Sequence, residues 1–541
     1  MNNSIYTFGL PQNEPIKEYL KGSREREELD QELAAQSKEL LEIPLIIGGE
    51  EVKTGQFGYI RAPHNHSKVL AKFHKAGEKE VEMAIEAALK AHKSWADTPW
   101  STRAAILLRA ADLITDKYRG ALNAATMLGQ SKNIYQSEID AVCESADFIR
   151  FNVHFASQIY SNQPISSHNQ INSLEYRALE GFVFAVTPFN FTSIAANLNL
   201  APVMMGNTTL WKPASTAVYS NYYLMKIFIE AGIPKGVINF LPGSGAVIGK
   251  KVLSSPHLAG IHFTGSNNTF NSLWRDVASN LESYRSYPRL VGETGGKDFI
   301  FVHPSANIDE VVNAAYCGAF EYQGQKCSAA SRVYLPHSMW ESFREGILQL
   351  HSKIKMGDVT EYNNFINAVI DQSSFEKIVG YIEAAKESNS SEIIFGGKYN
   401  REKGWFIEPT LILTKDPKFL TMEEEIFGPV LTLYLYEENK IEETVELCDK
   451  TSPYGLTGAI FGRDRVALEE ISQKLKYAAG NFYINDKPTG AVVGKQPFGG
   501  SRASGTNDKA GGIFNLVRWV SPRTIKETLL PPTDYRYSYM K

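Results

Sequence analysis

The stretch from residue 181 to 265 decides the fold, because short apolar runs in it alternate with longer segments of helical pattern. The apolar runs are GFVFAV (181–186), TTLWKP (208–213), VINFLPG (237–243) and AGIHFTG (259–265). Between the second and third runs, VYSNYYLMKIFIEAG (218–232) predicts a helix. This alternation is typical of a parallel sheet in an α/β domain, whose ligands bind at the carboxyl ends of the strands.

Outside this stretch the pattern divides the chain further. Residues 78–160 are mostly helical in pattern, and a second α/β alternation begins at KDFIFV (297–302) and runs to about residue 490. Two segments fit neither unit: SNQPISSHNQINSLEYR (161–177) and VRWVSPRTIKETLL (517–530), the second with little of its own to pair with. We expect both to be exposed elements that pair with another subunit.

The composition excludes several classes of protein. The chain has 541 residues, 43% of them hydrophobic and 21% charged, which is typical of a soluble globular protein rather than a disordered or fibrous one. The net charge of −4 gives no reason to expect a nucleic-acid or membrane partner. No apolar run is long enough to cross a bilayer. The first twenty residues lack the pattern of a leader, so a cytoplasmic location is expected, or the mitochondrial matrix if a leader has been removed.

One of the four cysteines stands in a setting that favours reactivity. Cys327 lies in GQKCSAASR (324–332), where small neighbours leave its side chain accessible. Lys326 and a helix N-terminus at this point would lower the thiol pKa and raise the thiolate fraction. The ordinary alternative is a small buried hydrophobic residue.

Two further motifs supply partners for such a thiol. Glu293, in VGETGGKDFIFV (291–302), precedes Cys327 by 34 residues and ends a predicted strand, where a carboxylate can take a proton from water. Asn190 follows the strand GFVFAV and offers an N–H donor that, with the backbone N–H of Cys327, could stabilise an oxyanion. Each also has an ordinary reading, as an exposed turn glutamate or a turn asparagine.

Three motifs suit a dinucleotide. Lys212 and Ser215, in LWKPAST, follow a strand where an adenosine ribose would rest, and in IHFTGSNNTF we expect Gly265 and Ser266 to open a helix whose N–H groups suit a pyrophosphate. In EEEIFGPV (423–430), Glu425 is placed to bond the nicotinamide ribose and Phe427 to support the ring; the alternative is an acidic helix start.

Two other motifs are not assigned a ligand. PGSGAVIG (242–249) follows a strand, but its G-x-G-x-x-x-G spacing is one residue too long for the dinucleotide fingerprint. His64 and His66, in APHNHSK, have no third ligand in view and are interpreted as part of a solvated loop, so no metal site is predicted.

Taken together, these motifs resemble the aldehyde dehydrogenase superfamily over residues 45–525, in the family's order and with its glutamate–cysteine spacing. Within it, ISSHNQINSLEYR, GETGGKD and above all PTGAVVGKQPFGGSRASGTNDKAGG (488–512) resemble the branch that oxidises L-glutamate γ-semialdehyde. The resemblance implies NAD-dependent oxidation of that aldehyde to L-glutamate through a thioester on Cys327, in proline catabolism. Since Ser215 stands where many NAD-specific relatives carry glutamate, some use of NADP stays open.

The resemblance also implies the architecture and the remaining site residues. It implies a Rossmann-like cofactor domain (1–160 and 178–296), an α/β catalytic domain (297–508), and a β oligomerisation flap with a C-terminal arm (161–177 and 509–541) in a homodimer or larger homo-oligomer. The implied cofactor site also includes Thr187 and Thr269. The implied substrate site comprises Phe191 and Phe498 around the aliphatic chain, and Ser328, Gly490 and Ala491 at the α-carboxylate.

Three other functions stay open on the sequence. The chain could oxidise another semialdehyde that lacks the α-amino group. It could transfer the thioester to coenzyme A, although Glu293 favours hydrolysis. It could also be a non-catalytic binding protein on this fold, because a fold alone does not establish activity.

Overall fold

The computed structural model describes residues 6–541, so the first five residues of the predicted unit 1–160 lie outside it. The α-helices in chain order are α1 (Arg24–Lys38), α2 (Glu78–Ala96), α3 (Trp100–Thr115), α4 (Arg119–Gln130), α5 (Ile134–Ser137), α6 (Ser145–Ser161), α7 (Thr192–Met204), α8 (Val218–Ala231), α9 (Gly245–Leu253), α10 (Asn267–Ser279), α11 (Ile308–Phe320), α12 (Trp340–His351), α13 (Gln372–Glu387), α14 (Leu420–Glu423), α15 (Ile441–Lys450), α16 (Arg465–Lys474) and α17 (Ile513–Val517). A π-helix spans Glu138–Glu144. Short 3₁₀ turns span Ser215–Ala217, Leu281–Ser283, Glu321–Gly324, His337–Met339, Glu438–Lys440 and Ser538–Met540.

The strands alternate with these helices. In chain order they are β1 (Leu41–Ile43), β2 (Leu45–Ile47), β3 (Glu50–Val52), β4 (Phe57–Ala62), β5 (Asn65–His74), β6 (Gln170–Ala178), β7 (Phe182–Val186), β8 (Thr208–Lys212), β9 (Ile238–Phe240), β10 (Leu258–Thr264), β11 (Arg289–Glu293), β12 (Asp298–Val302), β13 (Ala330–Pro336), β14 (Ser391–Phe395), β15 (Tyr399–Asn400), β16 (Phe406–Ile407), β17 (Thr410–Thr414), β18 (Val430–Tyr436), β19 (Tyr454–Gly455), β20 (Thr457–Phe461), β21 (Asn481–Ile484), β22 (Ser501–Arg502) and β23 (Val520–Thr528). The strands predicted from the apolar runs are therefore confirmed as β7, β8, β9, β10 and β12.

The first large sheet has the order β11-β10-β7-β8-β9-β2-β3. Its five strands from β7 to β11 are mutually parallel, and β2 and β3 add an antiparallel edge. Because parallel strands end at one edge of a sheet, the turns after β7, β10 and β11 lie side by side. That edge carries Asn190, Ser266 and Glu293.

The second large sheet has the order β14-β17-β18-β13-β12-β20-β21 and is parallel except for its edge strand β14. Cys327 lies three residues before β13 and is therefore placed at the amino end of a central strand of this sheet. Two parallel sheets with helices on both faces are the predicted α/β arrangement, and the fold class is confirmed.

Both sheets are buried on both faces, because alternate residues of each strand point to opposite sides. Phe182 and Phe184 of β7 pack with α2, α9 and α10, whereas Val183 packs with the helices α3, α4, α6, α7 and α8. In β12, Phe299 packs in the core with α13, α15 and α16, and Ile300 packs with α11 and α12. This explains why the strands appear in the sequence as continuous apolar runs.

The two unassigned segments pair with each other. β6 and β23 form an antiparallel ribbon with nine registered residue pairs, from Val520 opposite Ala178 to Thr528 opposite Gln170. The expectation that the C-terminal segment has little of its own to pair with is therefore wrong. The two partners lie more than 300 residues apart in the chain, and local patterns do not reveal such pairing.

None of the helices within residues 6–541 has the length and the apolar character that crossing a membrane requires.

Candidate active site

The carboxyl edge of the first sheet and the start of β13 enclose a cavity of about 340 Å³. The residues predicted for the substrate and the chemistry that line it are Phe191, Glu293, Cys327, Ser328, Gly490, Ala491 and Phe498. The sequence separates these residues by up to 307 positions, and the fold brings them to one place. The cavity is thus the candidate active site.

The thiol of Cys327 and the carboxylate of Glu293 face each other. The thiol donates a hydrogen bond to Glu293 Oε1 at 3.6 Å. Glu293 ends β11, and the following glycines Gly295 and Gly296 permit close packing: a Cβ at Gly295 would collide with the Glu425 carboxylate, and one at Gly296 with the Cys327 carbonyl. Glycine at these two positions therefore lets the turn after Glu293 pack directly against Glu425 and the cysteine loop.

Both groups ionise less readily in this setting than they would in water. Burial raises the pKa of Glu293 to about 7, against the lowering effects of the Cys327 hydrogen bond and the Lys509 charge. Burial raises the pKa of the Cys327 thiol well above its usual range, and the carboxylates of Glu293, Asp298 and Glu425 raise it further. A base with a pKa near neutrality is well matched to abstracting a proton from water at physiological pH.

The predicted activation of Cys327 by Lys326 is wrong. The Lys326 ammonium donates to Glu321 Oε2 at 2.9 Å, and no helix starts at Cys327, which lies in a turn between the 3₁₀ segment and β13. Lys326 pairs with the Glu321 carboxylate because a buried ammonium needs a counter-charge. The thiol pKa is raised by burial rather than lowered.

Asn190 lies beside the cysteine loop but not among the residues that line the cavity. Its side-chain Nδ2 donates to the carbonyl oxygen of Gln325 at 3.1 Å, two residues before Cys327. The amide carries two hydrogens, so one donor is left for a second acceptor. The contact orients the amide relative to the loop that carries the thiol.

The aromatic wall at Phe191 rests on a buried ion pair that sequence reasoning missed. Lys132 Nζ lies 2.7 Å from Asp140 Oδ2, both side chains are 1% exposed, and the ammonium lies 4.2 Å above the Phe191 ring. Asp140 also accepts the backbone N–H groups of Thr192 and Ser193, at 3.0 and 2.9 Å. The carboxylate thus caps the first turn of α7 directly after Phe191, which fixes where the ring enters the cavity.

Asp140 belongs to the π-helix Glu138–Glu144, whose last residue also reaches the cavity. Glu144 lines it and accepts a hydrogen bond from Ser193 Oγ at 2.9 Å. Burial, with the Asp140 charge, raises the pKa of Glu144 to about 8. Single π-turns in helices often lie at functional sites, but their i→i+5 bonding has no clear sequence signature, so Glu144 was not predicted.

Positive charge at the cavity is supplied by two lysines that share one carboxylate. Lys326 and Lys487 bind the two oxygens of Glu321, at 2.9 and 3.2 Å, and all three residues line the cavity. This triad carries a net charge of +1. Lys326 and Lys487 lie two residues before Ser328 and Thr489, respectively, whose hydroxyl oxygens are 2.7 Å apart.

Gly490 completes this end of the cavity. Its φ of +93° is in the region that side chains with a Cβ rarely adopt, so glycine allows the turn to present its backbone to a ligand. The cavity therefore offers a positive charge, hydroxyl groups and turn amides for an anion, and the Glu144 carboxyl for a cation.

A second cleft, of about 790 Å³, lies beside this cavity and fits a dinucleotide. It is lined by Ser266 to Asn268 at the start of α10 and by Glu425, among other residues. Ser266 caps the helix by accepting the Thr269 N–H, and the hydroxyls of Ser266 and Thr269 lie 2.8 Å apart. An open helix N-terminus suits a pyrophosphate, and Gly265 directly precedes it.

Glu425 connects the cleft to the reacting groups. Its Oε1 accepts the Gly296 N–H at 3.0 Å, and burial raises its carboxyl pKa. Phe427 adopts a φ of +61°, a strained value for a side chain with a Cβ, and its ring meets Phe189 edge-on at 5.8 Å. A carboxylate for ribose hydroxyls and a fixed aromatic ring are the groups that a nicotinamide riboside would need.

The remaining predicted cofactor residues lie at the end of β8. Burial lowers the pKa of Lys212, whose side chain lies beside Gly245 at the start of α9. Thr187 Oγ1 accepts the Trp211 indole N–H at 2.9 Å, and the Thr187 carbonyl accepts the Ala214 N–H. Ser215 begins the 3₁₀ turn that leads into α8. These contacts hold the turn where the adenosine half of a dinucleotide is expected.

The solvated-loop interpretation of the two histidines is wrong for His64. His64 is 3% exposed, its Nδ1 lies 3.2 Å from Ser131 Oγ, and burial lowers its pKa to about 4. His66 Nε2 bonds the Arg401 carbonyl at 2.8 Å. His64 thus packs against the end of α4, and His66 packs against the hairpin of β15 and β16, where its ring lies 4.8 Å from Trp405. Over residues 6–541, no group of three or more His, Cys, Asp or Glu side chains is arranged to hold a metal ion.

Comparison with known proteins identifies relatives over the whole chain. A family model described as the aldehyde dehydrogenase family matches residues 54–525. The mitochondrial delta-1-pyrroline-5-carboxylate dehydrogenase of Dictyostelium discoideum is 51% identical, with 98% of this chain and 96% of the relative covered. The human protein of the same name is 48% identical, with 98% and 94% covered.

Solved structures agree with these relatives. The crystal structure of the Delta-pyrroline-5-carboxylate dehydrogenase from Mycobacterium tuberculosis bound with NAD has a TM-score of 0.96 to this chain and is 46% identical, with 100% of both chains covered. The similarity therefore extends over both sheets, the cavity and the cleft.

Proposed function

Because this chain belongs to the aldehyde dehydrogenase family, we propose that it oxidises L-glutamate γ-semialdehyde, the open form of Δ1-pyrroline-5-carboxylate, to L-glutamate with NAD. This reaction is the second step of proline catabolism. One observation carries the proposal: a single cavity holds the Cys327–Glu293 pair together with groups of both charges that match an α-amino acid.

The substrate's α-carboxylate matches the end of the cavity formed by Ser328, Gly490 and Ala491, with the positive Lys326–Glu321–Lys487 triad beside it. Its α-ammonium matches Glu144. A carboxyl whose pKa is about 8 is mostly protonated at neutral pH, and an ammonium brought next to it favours the charged form. Phe191 and Phe498 supply the apolar walls for the methylene chain.

The chemistry proceeds on Cys327. After the thiol loses its proton to solvent, the thiolate attacks the aldehyde carbon, and the oxygen becomes an anion for which the free N–H of Asn190 and the Cys327 backbone N–H are the proposed donors. NAD, when bound in the cleft between Ser266 and Glu425, supplies the acceptor for the hydride that leaves this carbon. A thioester on Cys327 remains.

Glu293 completes the reaction. In its ionised form it takes a proton from a water molecule, which attacks the thioester carbon, and the Cys327 sulfur leaves. Glu293 Oε1 lies 3.6 Å from the Cys327 sulfur. A single water molecule can therefore contact both this carboxylate and the thioester carbon. The Glu293 pKa of about 7 makes about half of the carboxyl available as a base at neutral pH.

The test is NADH formation from Δ1-pyrroline-5-carboxylate and NAD, followed by absorbance, beside succinate semialdehyde and beside a Cys327→Ala variant. We expect turnover by the wild type only, with a preference for the substrate that carries the α-amino group. If the folded, reduced wild type is silent with pyrroline-5-carboxylate and active with another aldehyde, the substrate assignment fails while the dehydrogenase assignment stands.

The proposal extends to assembly and location. The β6–β23 ribbon projects exposed apolar side chains, among them Ile171, Ile525 and Leu529, and this supports a homodimer or larger homo-oligomer with the ribbon as a contact. The proposed division is a cofactor domain around the first sheet, a catalytic domain around the second, and a flap around the ribbon. Several relatives are named as mitochondrial proteins, which supports the matrix over the cytoplasm; cell fractionation tests it.

A further inference from the structure

The segment GTNDK (505–509) is distinctive in the sequence, and its lysine has no role in the reaction as described so far. Lys509 lies in the loop between β22 and α17 and is half-buried at the cavity. Asn507 and Lys509 adopt φ values of +54° and +53°. Residues with a Cβ rarely take such values unless their surroundings fix them, and local strain of this kind concentrates at functional sites.

The Lys509 side chain turns inward and binds backbone oxygens. Its ammonium donates to the carbonyls of Gly480 and Gly499, both at 2.8 Å, and to Asn481 Oδ1 at 3.3 Å. Asn481 Oδ1 accepts the Gly499 N–H as well, at 3.1 Å. The lysine thus fastens the corner after Phe498 to the start of β21.

The same loop holds both walls of the reaction centre. Ala510 exchanges two backbone hydrogen bonds with Phe498, at 2.9 and 2.8 Å. Thr506 N–H donates to the Gly292 carbonyl, and Gly292 N–H donates to Thr506 Oγ1, each at 2.9 Å. The loop is therefore attached to the residue before the base and to the substrate wall, and Lys509 lies between these attachments.

We propose that Lys509 is a positioning residue of the reaction. It fastens the Phe498 wall through its ammonium hydrogen bonds and places a positive charge in the cavity that the base Glu293 also lines. This inference rests on the proposed function for the role of Glu293. Three neutral oxygens accept the ammonium, so hydrogen bonding is satisfied while the charge is not cancelled by an ion pair. The uncancelled charge acts on Glu293 through a partly buried medium, where screening by water is weak.

The electrostatics agree with this geometry. The Lys509 charge lowers the pKa of Glu293 against the effect of burial, and burial lowers the pKa of Lys509 itself. Cys327 is the other titratable group that acts on Glu293. The further titratable side chains that line the cavity from the surrounding elements are Tyr135, Glu144, His262, Glu321, Lys326, Asp486, Lys487 and Asp508. Of the cations among them, Lys326 and Lys487 are both paired with Glu321.

The experiment measures acyl-enzyme hydrolysis as a function of pH in Lys509→Met, Lys509→Gln and Lys509→Arg. Gln keeps N–H donors for the carbonyl oxygens and removes the charge, whereas Arg keeps both. Lys495→Met is the matched control, because Lys495 is exposed on the same C-terminal segment and does not line the cavity. Each protein is mixed with NAD and propanal, quenched in acid, and weighed intact by mass spectrometry to follow the thioester.

We expect the acidic limb of the hydrolysis rate to move to higher pH by about 0.5–1 unit in the Met and Gln variants. Arg should restore the wild-type profile, and Lys495→Met should leave it unchanged. Met should also raise KM for glutamate semialdehyde more than Gln does, because it loses the bonds behind Phe498. An unmoved pH profile in a folded Gln variant would overturn the proposal. Propanal separates this test from the substrate assignment, which fails only if wild type ignores glutamate semialdehyde.

Discussion

Replacing Glu293 with glutamine should separate the two halves of the reaction. The change keeps the size of the side chain and removes the base, so hydrolysis of the thioester should slow by roughly 10²–10⁴, or about 3–5 kcal/mol in the activation barrier. The formation of the thioester should survive. One NADH per chain should appear rapidly, followed by very slow turnover.

The expected effect of this substitution on thioester formation, the first half of the reaction, comes from the Cys327–Glu293 contact. The thiol sulfur and the carboxylate oxygen are 3.6 Å apart, and the carboxylate raises the thiol pKa. Two like charges about 4 Å apart repel by on the order of 4 kcal/mol at an effective dielectric constant of 20. Glutamine abolishes that repulsion, so the thiolate fraction of Cys327 at a given pH should rise.

The assay is stopped-flow detection of NADH with enzyme and substrate at comparable concentrations, with the intact mass of the protein measured after the burst. Cys327→Ala supplies the baseline, because it cannot form the thioester. A Glu293→Gln enzyme that turns over at nearly the wild-type steady rate would refute the assignment of Glu293 as the base. The absence of any burst from a folded variant would show instead that Glu293 is needed to form the thiolate.

Three further outcomes follow from the same geometry. Asn190→Ala should lower turnover by on the order of 10²–10³ with a smaller change in KM; steady-state kinetics near wild type would remove Asn190 from the oxyanion site. Glu144→Gln should reduce kcat/KM for glutamate semialdehyde by roughly 10–100-fold and leave succinate semialdehyde unaffected, since only the former has an ammonium; equal losses would argue against ammonium recognition. In wild type, acyl-enzyme hydrolysis should fall about tenfold per pH unit below the Glu293 pKa of about 7, because protonation removes the base; a flat profile between pH 5 and 7 would contradict it.

The parts of the fold that the sequence predicts well are those with local signals. β7, β8 and β10 are buried on both faces, so each appears as an unbroken apolar run, and the helix after β8 ends at Gly232, whose φ of +102° requires a residue without a Cβ. Turns after parallel strands meet at one edge by geometry alone. The positions of Asn190, Ser266 and Glu293 on that edge could therefore be anticipated.

The parts that were missed depend on contacts between distant residues. Lys326 was expected to activate its neighbour Cys327, but it binds Glu321, and whether a lysine meets a thiol or a carboxylate is decided by the three-dimensional loop. Glu144 lines the cavity from a π-helix, Glu138–Glu144, whose hydrogen-bonding pattern differs from that of an α-helix. An α-helix with the same sequence would place its side chains at different angles, and hydrophobic periodicity does not separate the two.

Burial of the acidic groups that line the cavity explains why a charged ligand favours their ionised forms. Burial raises the pKa values of Cys327, Glu293 and Glu144 together, so each of the three acids ionises less readily than it would in water. An ammonium at Glu144 would pair with a carboxyl that has little water to stabilise its charge, and such a pair gains strength where water is excluded. A semialdehyde without the α-amino group could fill the same space, but Glu144 would then stay neutral and form no ion pair. Selectivity for the amino acid thus follows from an ion pair that only its ammonium can form, and the apolar walls at Phe191 and Phe498 supply fit without discriminating between the two substrates.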